Sequence, residues 1–166
     1  MPFNINNFKQ EGLVYGGARS SLFNVTLDVP PGLGIDNTSV RKFTFVCRSA
    51  QLPDSTLSAI QVPYFGRTIK IAGERTFRDW TVSVMNDEDF LIRNALEEWS
   101  NKINSLEGNI RAFGAASPLL YKSQAQVTQF SKTGLPIRTY QFNGVWPVNI
   151  SDIGLAWNQG NAIETF

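Results

Sequence analysis

The sequence contains no histidine and only one cysteine, Cys47, among its 166 residues. Without histidine it cannot build a Ser-His-Asp or Cys-His nucleophile, or a metal site with histidine ligands. One cysteine cannot form an internal disulfide, a cysteine-rich zinc site or an iron–sulfur site. No glycine-rich phosphate-binding motif is present either. We therefore expect a protein that is not an enzyme and that uses no cofactor or metal, with Cys47 as a buried free thiol.

Charge is also sparse, because Asp, Glu, Lys and Arg make up 17% of the residues, against about 25% in an ordinary soluble domain. Such a surface is typical of a subunit covered by other subunits; the alternative is a small β-rich domain with a Ser, Asn and Gln surface. The 15 basic and 14 acidic residues form no block of one sign, so no basic nucleic-acid-binding face is predicted. No apolar run approaches the roughly 18 residues of a membrane span, and the N-terminus lacks the pattern of a signal peptide.

Two residue groups are candidates for a site. The acidic trio Asp87, Glu88 and Asp89 could ligate a divalent cation. The better explanation of the three carboxylates is that they lie at a helix N-terminus, where they complement the helix dipole. Glu97 and Glu98 are neighbours on the predicted helix and point about 100° apart, which disfavours an acid/base pair.

The four tryptophans could stack on bases or sugars. Trp80 and Trp99 follow the apolar periodicity of their segments, which favours burial in the core. For Trp146 and Trp157 the sequence leaves both interpretations open.

Alternating apolar and polar residues predict several short strands and one domain over 1–166. The first strand has Phe23, Val25, Leu27 and Val29 on one face. A second covers 42–50, and a third covers 76–84. A hairpin joins 124–132 to 135–146 through Thr133 and Gly134.

One helix is predicted, over 87–106, with Asn86 or Asp87 as its cap. Its apolar stripe, which we expect to be the helix side of the core, consists of Ile92, Leu96, Trp99 and Ile103. Arg93 with Glu97 and Glu98 with Lys102 form i,i+4 pairs on the wetter side. Residues 1–20 are polar and rich in glycine, and we interpret them as an N-terminal arm.

The stretch 51–73 is long, contains two prolines and has apolar runs on both sides of Phe65 and Gly66. It predicts an extended hairpin or loop that projects from the body. Its side chains would form an exposed apolar patch unless something covers them.

Three segments together resemble the tail tube proteins of contractile-tailed, myovirus-like bacteriophages. They are GGARSSLFNVTL, then VPYFGRTIKIAGERTFRDWTVSVMNDEDFLIRNALEEW, then YQFNGVWPVNISDIGLAW followed by IETF. The central segment is the most specific of the three. The resemblance implies a mainly β fold, a small β-sandwich or barrel-like domain with one flanking α-helix. Six-fold rings of subunits then join their strands into a ring-wide β-barrel.

The resemblance also implies partners and a location. Rings stack into a tube that forms the channel for DNA delivery, with a sheath protein outside and the baseplate hub and tail terminator at the ends. The tape measure protein and transiting DNA occupy the lumen without specific DNA binding. The protein is then part of the virion tail, assembled in the host cytoplasm.

Two surfaces follow from this assembly as expectations. The projecting stretch would reach the next ring as a stacking loop. Its contact residues would be Leu52, Ile60, Val62, Pro63, Tyr64, Phe65 and Arg67. A neutral-to-acidic lumen would be formed by polar strand faces. Its candidate residues are Asp79, Thr81 and Ser83, which alternate with Trp80, Val82 and Val84.

Two alternative functions stay open at this point. The same tube could belong to a phage-derived injection machine or a type VI-like secretion system, to which the family is related. A monomeric β-sandwich could instead bind a carbohydrate or oligonucleotide through Trp146 or Trp157.

At the C-terminus, residues 150–157 predict a strand, 158–161 a turn, and 162–166 a return strand that stops early. Related tube proteins continue past a similar I-E-T-F sequence through one more strand. We therefore expect a truncated form or the ordered part of a longer protein. The alternative is a natural end, whose open strand edge a neighbouring subunit or the N-terminal arm fills.

Overall fold

The computed structural model of the chain describes residues 4–35, 37–160 and 162–166. The α-helices are α1 (Ile5–Asn7), α2 (Asn37–Val46), α3 (Leu91–Ile103) and α4 (Pro118–Tyr121). A π-helical turn covers Phe8–Gly12, and 3₁₀ turns cover Pro31–Leu33 and Phe113–Ala115. The strands are β1 (Phe23–Leu27), β2 (Cys47–Ala50), β3 (Ser55–Tyr64), β4 (Arg67–Phe77), β5 (Val82–Val84), β6 (Ser123–Phe130) and β7 (Pro136–Val145). The predicted mainly β fold with a flanking helix is confirmed.

Three antiparallel sheets contain these strands. The largest has the order β1-β6-β7, and the others are the pairs β2–β5 and β3–β4. The predicted first strand and the predicted hairpin of β6 and β7 are confirmed. Val25 on β1 lies opposite Val127 on β6, and both are buried. This pair places one face of the largest sheet against the core.

The main core lies between that sheet and the two longer helices. Phe43 from α2 and Ile92 from α3 pack with Val25, Val84 and Val127. A second cluster surrounds Trp99 and includes Leu33, Ile35, Ala95 and Ala115. Among the described residues, no helix is both long enough and apolar enough to span a membrane.

Helix α3 begins at Leu91 and ends at Ile103, so it is shorter than the predicted 87–106. The predicted cap at Asn86 or Asp87 is wrong. Phe90, at φ 50°, occupies the cap position, and the Asp89 carboxylate accepts a hydrogen bond from the Leu91 N–H over 3.1 Å. The predicted i,i+4 ion pairs on this helix are confirmed.

The predicted strand over 42–50 is wrong for its first half. Residues up to Val46 belong to α2, and only Cys47–Ala50 forms a strand. A helix turns about 100° per residue, so Phe43 and Phe45 cannot share a face: Phe43 is 2% exposed and Phe45 is 83% exposed. The strand prediction rests on the alternation of Phe43, Phe45 and Cys47. The helical spacing of Val40, Phe43 and Val46 competes with that alternation, and the helix is what forms.

The predicted third strand over 76–84 is interrupted. Strand β4 ends at Phe77, and β5 begins only at Val82. In the connection, the Trp80 Nε1–H donates to the Gln51 carbonyl over 2.9 Å, and its ring stacks on Phe142 at 4.5 Å. The alternation therefore spans two strands of different sheets.

The predicted strand over 150–157 is also wrong, since these residues have no strand assignment. The Arg93 side chain fixes this segment by donating to the Ser151 carbonyl over 3.0 Å. The return segment pairs with β5 instead: Val84 and Phe166 exchange backbone hydrogen bonds of 2.9 and 3.1 Å. In the predicted turn, Asn161 lies outside the described residues, as do residues 1–3 of the predicted arm. The rest of the arm is exposed.

Gly114 predicts a first testable effect. A Cβ atom there would lie 2.5 Å from the backbone carbonyl oxygen of Gly32, so one of the two segments beside the Trp99 cluster would have to move. We expect Gly114→Ala to lower the free energy of unfolding by about 1–3 kcal/mol, measured by denaturant unfolding. The control is Gly154→Ala, because Gly154 has open space around it. Equal stability of the two variants would contradict this close approach.

Candidate assembly surface

Strands β3 and β4 form a hairpin, called here the hairpin, whose sheet contains no other strand of the described chain. Tyr64 pairs with Arg67, which leaves Phe65 and Gly66 as a two-residue turn. Both turn residues have positive φ, 43° and 76°. A turn with that handedness matches the right-handed twist of paired strands, and this is why it closes a hairpin.

One face of the outer half of the hairpin is apolar. Directly paired residues share a face, and Ile60 pairs with Ile71, Val62 with Ile69, and Tyr64 with Arg67. We call Ile60, Val62, Tyr64, Ile69 and Ile71 the distal patch. Their side chains are 38–62% exposed, so the patch lies uncovered in the single chain.

The opposite face of the outer half is polar or small. Ala59 pairs with Ala72, Gln61 with Lys70, and Pro63 with Thr68. Pro63 lacks an N–H, but each strand of a two-stranded hairpin has one open edge, so a proline is tolerated there. The outer half of the hairpin is therefore amphipathic, although it belongs to no larger sheet.

The hairpin is little covered by the rest of the chain, because all of β3 and all of β4 except Gly73 are exposed. Strand β3 has ten residues, and a rise of about 3.3 Å per residue gives a reach of about 30 Å. That length is comparable with the diameter of a small domain. A surface of this length and polarity is typical of a contact with another subunit.

Most of the residues named for stacking lie together on the hairpin. Phe65 is at its tip, 89% exposed, and Leu52 is exposed in the segment before β3. Ile69 and Ile71, which complete the distal patch, are missing from the sequence-based set. The alternation in Thr68-Ile69-Lys70-Ile71 is the signal that could have identified them.

The lumen candidates do not share one strand face. Asp79 and Thr81 are exposed in the connection between β4 and β5, whereas Ser83 is half-buried in β5 opposite Ser49. Residues that alternate along the sequence therefore lie in two different structural settings.

Two residues of the acidic trio, Asp87 and Asp89, pair with a lysine. The Lys42 ammonium lies 2.5 Å from the Asp87 carboxylate and also contacts Asp89. These hydrogen bonds from Lys42 lower the pKa of both carboxyl groups, and they raise the pKa of Lys42. The described residues contain no cluster of three or more side chains suited to a metal ion. Asp87 and Asp89 thus connect α2 to the segment before α3.

This ion pair predicts a pH dependence of stability. Because the pKa values of Asp87 and Asp89 are lowered, their contribution to the stability of the fold is complete above the ordinary pKa of 3.8 and is lost as pH falls through the folded pKa values. The contribution of Lys42, whose pKa is raised, is lost only as pH rises above 10.5. We expect Lys42→Met to be less stable than the unmodified protein at pH 7, with the difference shrinking below pH 3.8. A difference that is constant from pH 7 to the acid limit would contradict the pairing.

Three further side chains singled out in the sequence, Cys47, Trp157 and Trp146, lie in different settings. Cys47 is half-buried rather than fully buried as predicted, and its burial raises the pKa of the thiol to about 11, which keeps it protonated at neutral pH. Trp157 is fully exposed. Trp146 borders a shallow, open depression of about 600 Å³ with Ile103, Asn104, Asn109 and Arg111. Polar side chains form most of its wall, whereas a ligand pocket is enclosed by mainly apolar walls.

Comparison with known proteins agrees with an assembly surface. A family model described as phage tail tube protein matches residues 18–166. Tail tube protein gp19 of Enterobacteria phage T4 is 35% identical over 150 residues, which cover 90% of this chain and 85% of that protein. Tail tube protein gp19 of Enterobacteria phage T6 has the same identity and coverage. The tail tube protein of Serratia phage KSP90 is 25% identical over 152 residues, or 91% and 84% of the two chains.

The mainly β fold and the long uncovered hairpin define a chain with an exposed apolar surface suited to contact with other chains. The chain belongs to the phage tail tube protein family. It is a structural subunit of a phage tail tube and a component of the virion tail. The relatives do not favour the ligand-binding β-sandwich or the injection-machine alternative.

Proposed function

We propose that copies of this chain close into six-fold rings and that the rings stack through the hairpin into a tube for DNA delivery. The observation that carries this proposal is the distal patch. Five large side chains on one face are exposed in the single chain, and burying them is favourable by about 25 cal/mol for each Å² of apolar surface. A neighbouring ring supplies the missing cover.

Ring closure uses the largest sheet. Strands β1 and β7 are its edges, and in the part of the chain described here each pairs within this sheet only with β6. Open edges promote uncontrolled association of a monomer. A head-to-tail contact between the two edges satisfies them and closes into a ring, which gives the ring-wide β-barrel.

The remaining partners follow from the same arrangement. A sheath protein lies outside the tube, and the baseplate hub and tail terminator bind its ends. The tape measure protein and then DNA pass through the lumen. The protein has no enzymatic role and uses no cofactor in this assembly, which takes place in the host cytoplasm.

The lumen of this tube should let DNA pass without holding it. Each phosphate contact adds salt-dependent affinity, so a lumen lined by Lys and Arg would slow passage. Asp79, Thr81 and Ser83 are proposed as lumen residues. We expect assembled tubes to bind duplex DNA more weakly than about 1 µM at physiological salt, measured by fluorescence anisotropy. Tighter binding at that salt concentration would contradict a lumen of this kind.

Sedimentation velocity of the purified protein tests the proposed assembly. We expect rings and longer particles that increase with protein concentration, at more than one salt concentration. A single monomer boundary at high concentration in every salt would overturn the proposal.

A further inference from the structure

The apolar residues of the hairpin change faces part-way along it. Near the base, Leu57 pairs with Arg75 and Ser55 with Phe77, so Leu57 and Phe77 are diagonal neighbours on one face. We call these two exposed residues the basal patch. In β3, Leu57 and Ile60 are three residues apart, so they lie on opposite faces. The basal patch therefore lies on the face opposite the distal patch.

The two strands change face at the same level by different means. In β3, which has no extra residue, the apolar side chains change faces because Leu57 and Ile60 are an odd number of residues apart. In β4, Ile71 and Phe77 are six residues apart and would share a face in a regular strand. However, Gly73 and Glu74 together oppose Ser58 alone, and this bulge adds the one residue that reverses the face. The bulge thus aligns Phe77 with Leu57.

Local contacts fix the bulge. The Ser58 hydroxyl donates to the Glu74 carbonyl over 3.1 Å. A Cβ atom on Gly73 would lie 2.5 Å from the Ser58 hydroxyl oxygen, 3.0 Å from the Ile60 side chain and 3.2 Å from the Ser58 carbonyl oxygen. A larger residue at this position would force the Ser58 and Ile60 side chains to move, so the close approach favours glycine and the register of the bulge.

The two patches also have different charged neighbours. The outer half carries Arg67 and Lys70 and no carboxylate between residues 55 and 73. The base has charges of both signs, including the ion pair of Arg78 with Asp54 at 3.3 Å. Of the two cations of the outer half, only Arg67 lies on the face of the distal patch, opposite Tyr64, whereas Lys70 lies on the other face. A mainly apolar surface with an acceptor for Arg67 therefore complements the distal patch, and a nearly neutral surface suits the basal patch.

We infer that the hairpin is held between two different copies of this chain. The distal patch is covered by a copy in the adjoining ring, because it lies up to about 30 Å from the body. The basal patch is covered by a lateral neighbour in the same ring, because it lies where the hairpin joins the body. This inference rests on the proposed function, since it requires both rings and stacks.

Two double variants of the full chain separate the contacts. Ile60→Thr with Ile71→Thr makes a cross-strand pair of the distal patch polar. Leu57→Thr with Phe77→Thr does the same for the basal patch. All four side chains are exposed and threonine suits strands, so both variants should fold, as circular dichroism can verify.

The matched control is Thr56→Ser with Thr76→Ser, a directly paired and exposed site at the base that belongs to neither patch and lies on the opposite face from the basal patch. Assembly is followed by sedimentation and negative-stain electron microscopy. The distal variant should still form rings, but its critical concentration for tubes should rise at least about tenfold. The basal variant should lose rings themselves, with a monomer fraction that rises by a similar factor. The control should assemble like the unmodified protein.

The outcomes distinguish this inference from the proposed function. If the unmodified protein forms no rings or tubes, the proposed function fails and the inference fails with it. If the unmodified protein assembles but both double variants lose the same step, or neither loses any, the hairpin does not contact two different copies, while the tube proposal stands. A basal variant that forms rings but no tubes would also overturn the assignment.

Discussion

Replacing Trp99 with alanine is expected to lower the free energy of unfolding by about 3–5 kcal/mol. Trp99 is 1% exposed and packs between α3 and the segments that carry Leu33 and Ala115. Its Nε1–H also donates to the Tyr121 carbonyl over 2.8 Å. The substitution therefore leaves a large cavity and an unpaired backbone acceptor.

Denaturant unfolding at protein concentrations below the onset of assembly measures this loss. The control is Trp157→Ala, which removes the same side chain from a fully exposed position and should change the stability by less than about 0.5 kcal/mol. Loss of folded monomer in the Trp99 variant should precede any defect in assembly. If the two variants were equally stable, Trp99 would not be a core residue.

Shortening the hairpin is expected to abolish tubes and to leave rings. Leu57 and Arg75 are directly paired, so residues 58–74 can be replaced by Asn-Gly, which closes a two-residue turn between paired strands. The variant loses the distal patch and keeps the basal patch and the body. Electron microscopy should show rings and no stacks.

The stability of the shortened variant serves as its control, because the hairpin contributes no residue to either core cluster. Its unfolding midpoint should match that of the unmodified protein. Long tubes from this variant would refute the role of the hairpin in stacking.

The parts of the fold that follow from the sequence are those with one clear period. Phe23, Val25 and Leu27 alternate without competition, and β1 forms there. The stripe of Ile92 and Trp99 recurs at helical spacing, and α3 forms there, with both residues buried. In these segments local propensity and tertiary packing agree.

The errors arise where two periods compete or where pairing decides the outcome. Val40, Phe43 and Val46 fit a helix, while Phe43 and Phe45 fit a strand, and the core of α2 and α3 selects the helix. Residues 150–157 alternate, but they are held by Arg93 rather than by a neighbouring strand. The periodicity of a single segment does not show which other segments will pack or pair with it.

The candidate surface could be predicted in outline only. Its position follows from the apolar residues around Phe65 and Gly66, and two positive-φ turn residues agree with a hairpin there. Its division into two faces could not be predicted, because the bulge at Gly73 and Glu74 is a property of strand register. Register depends on both strands at once.

Electron microscopy of the purified, unmodified protein tests the central claim most directly. The account predicts hollow tubes of uniform diameter, built from stacked rings with six-fold end views. Dispersed single particles of the 18.5 kDa chain, at concentrations where the solution is otherwise stable, would contradict it.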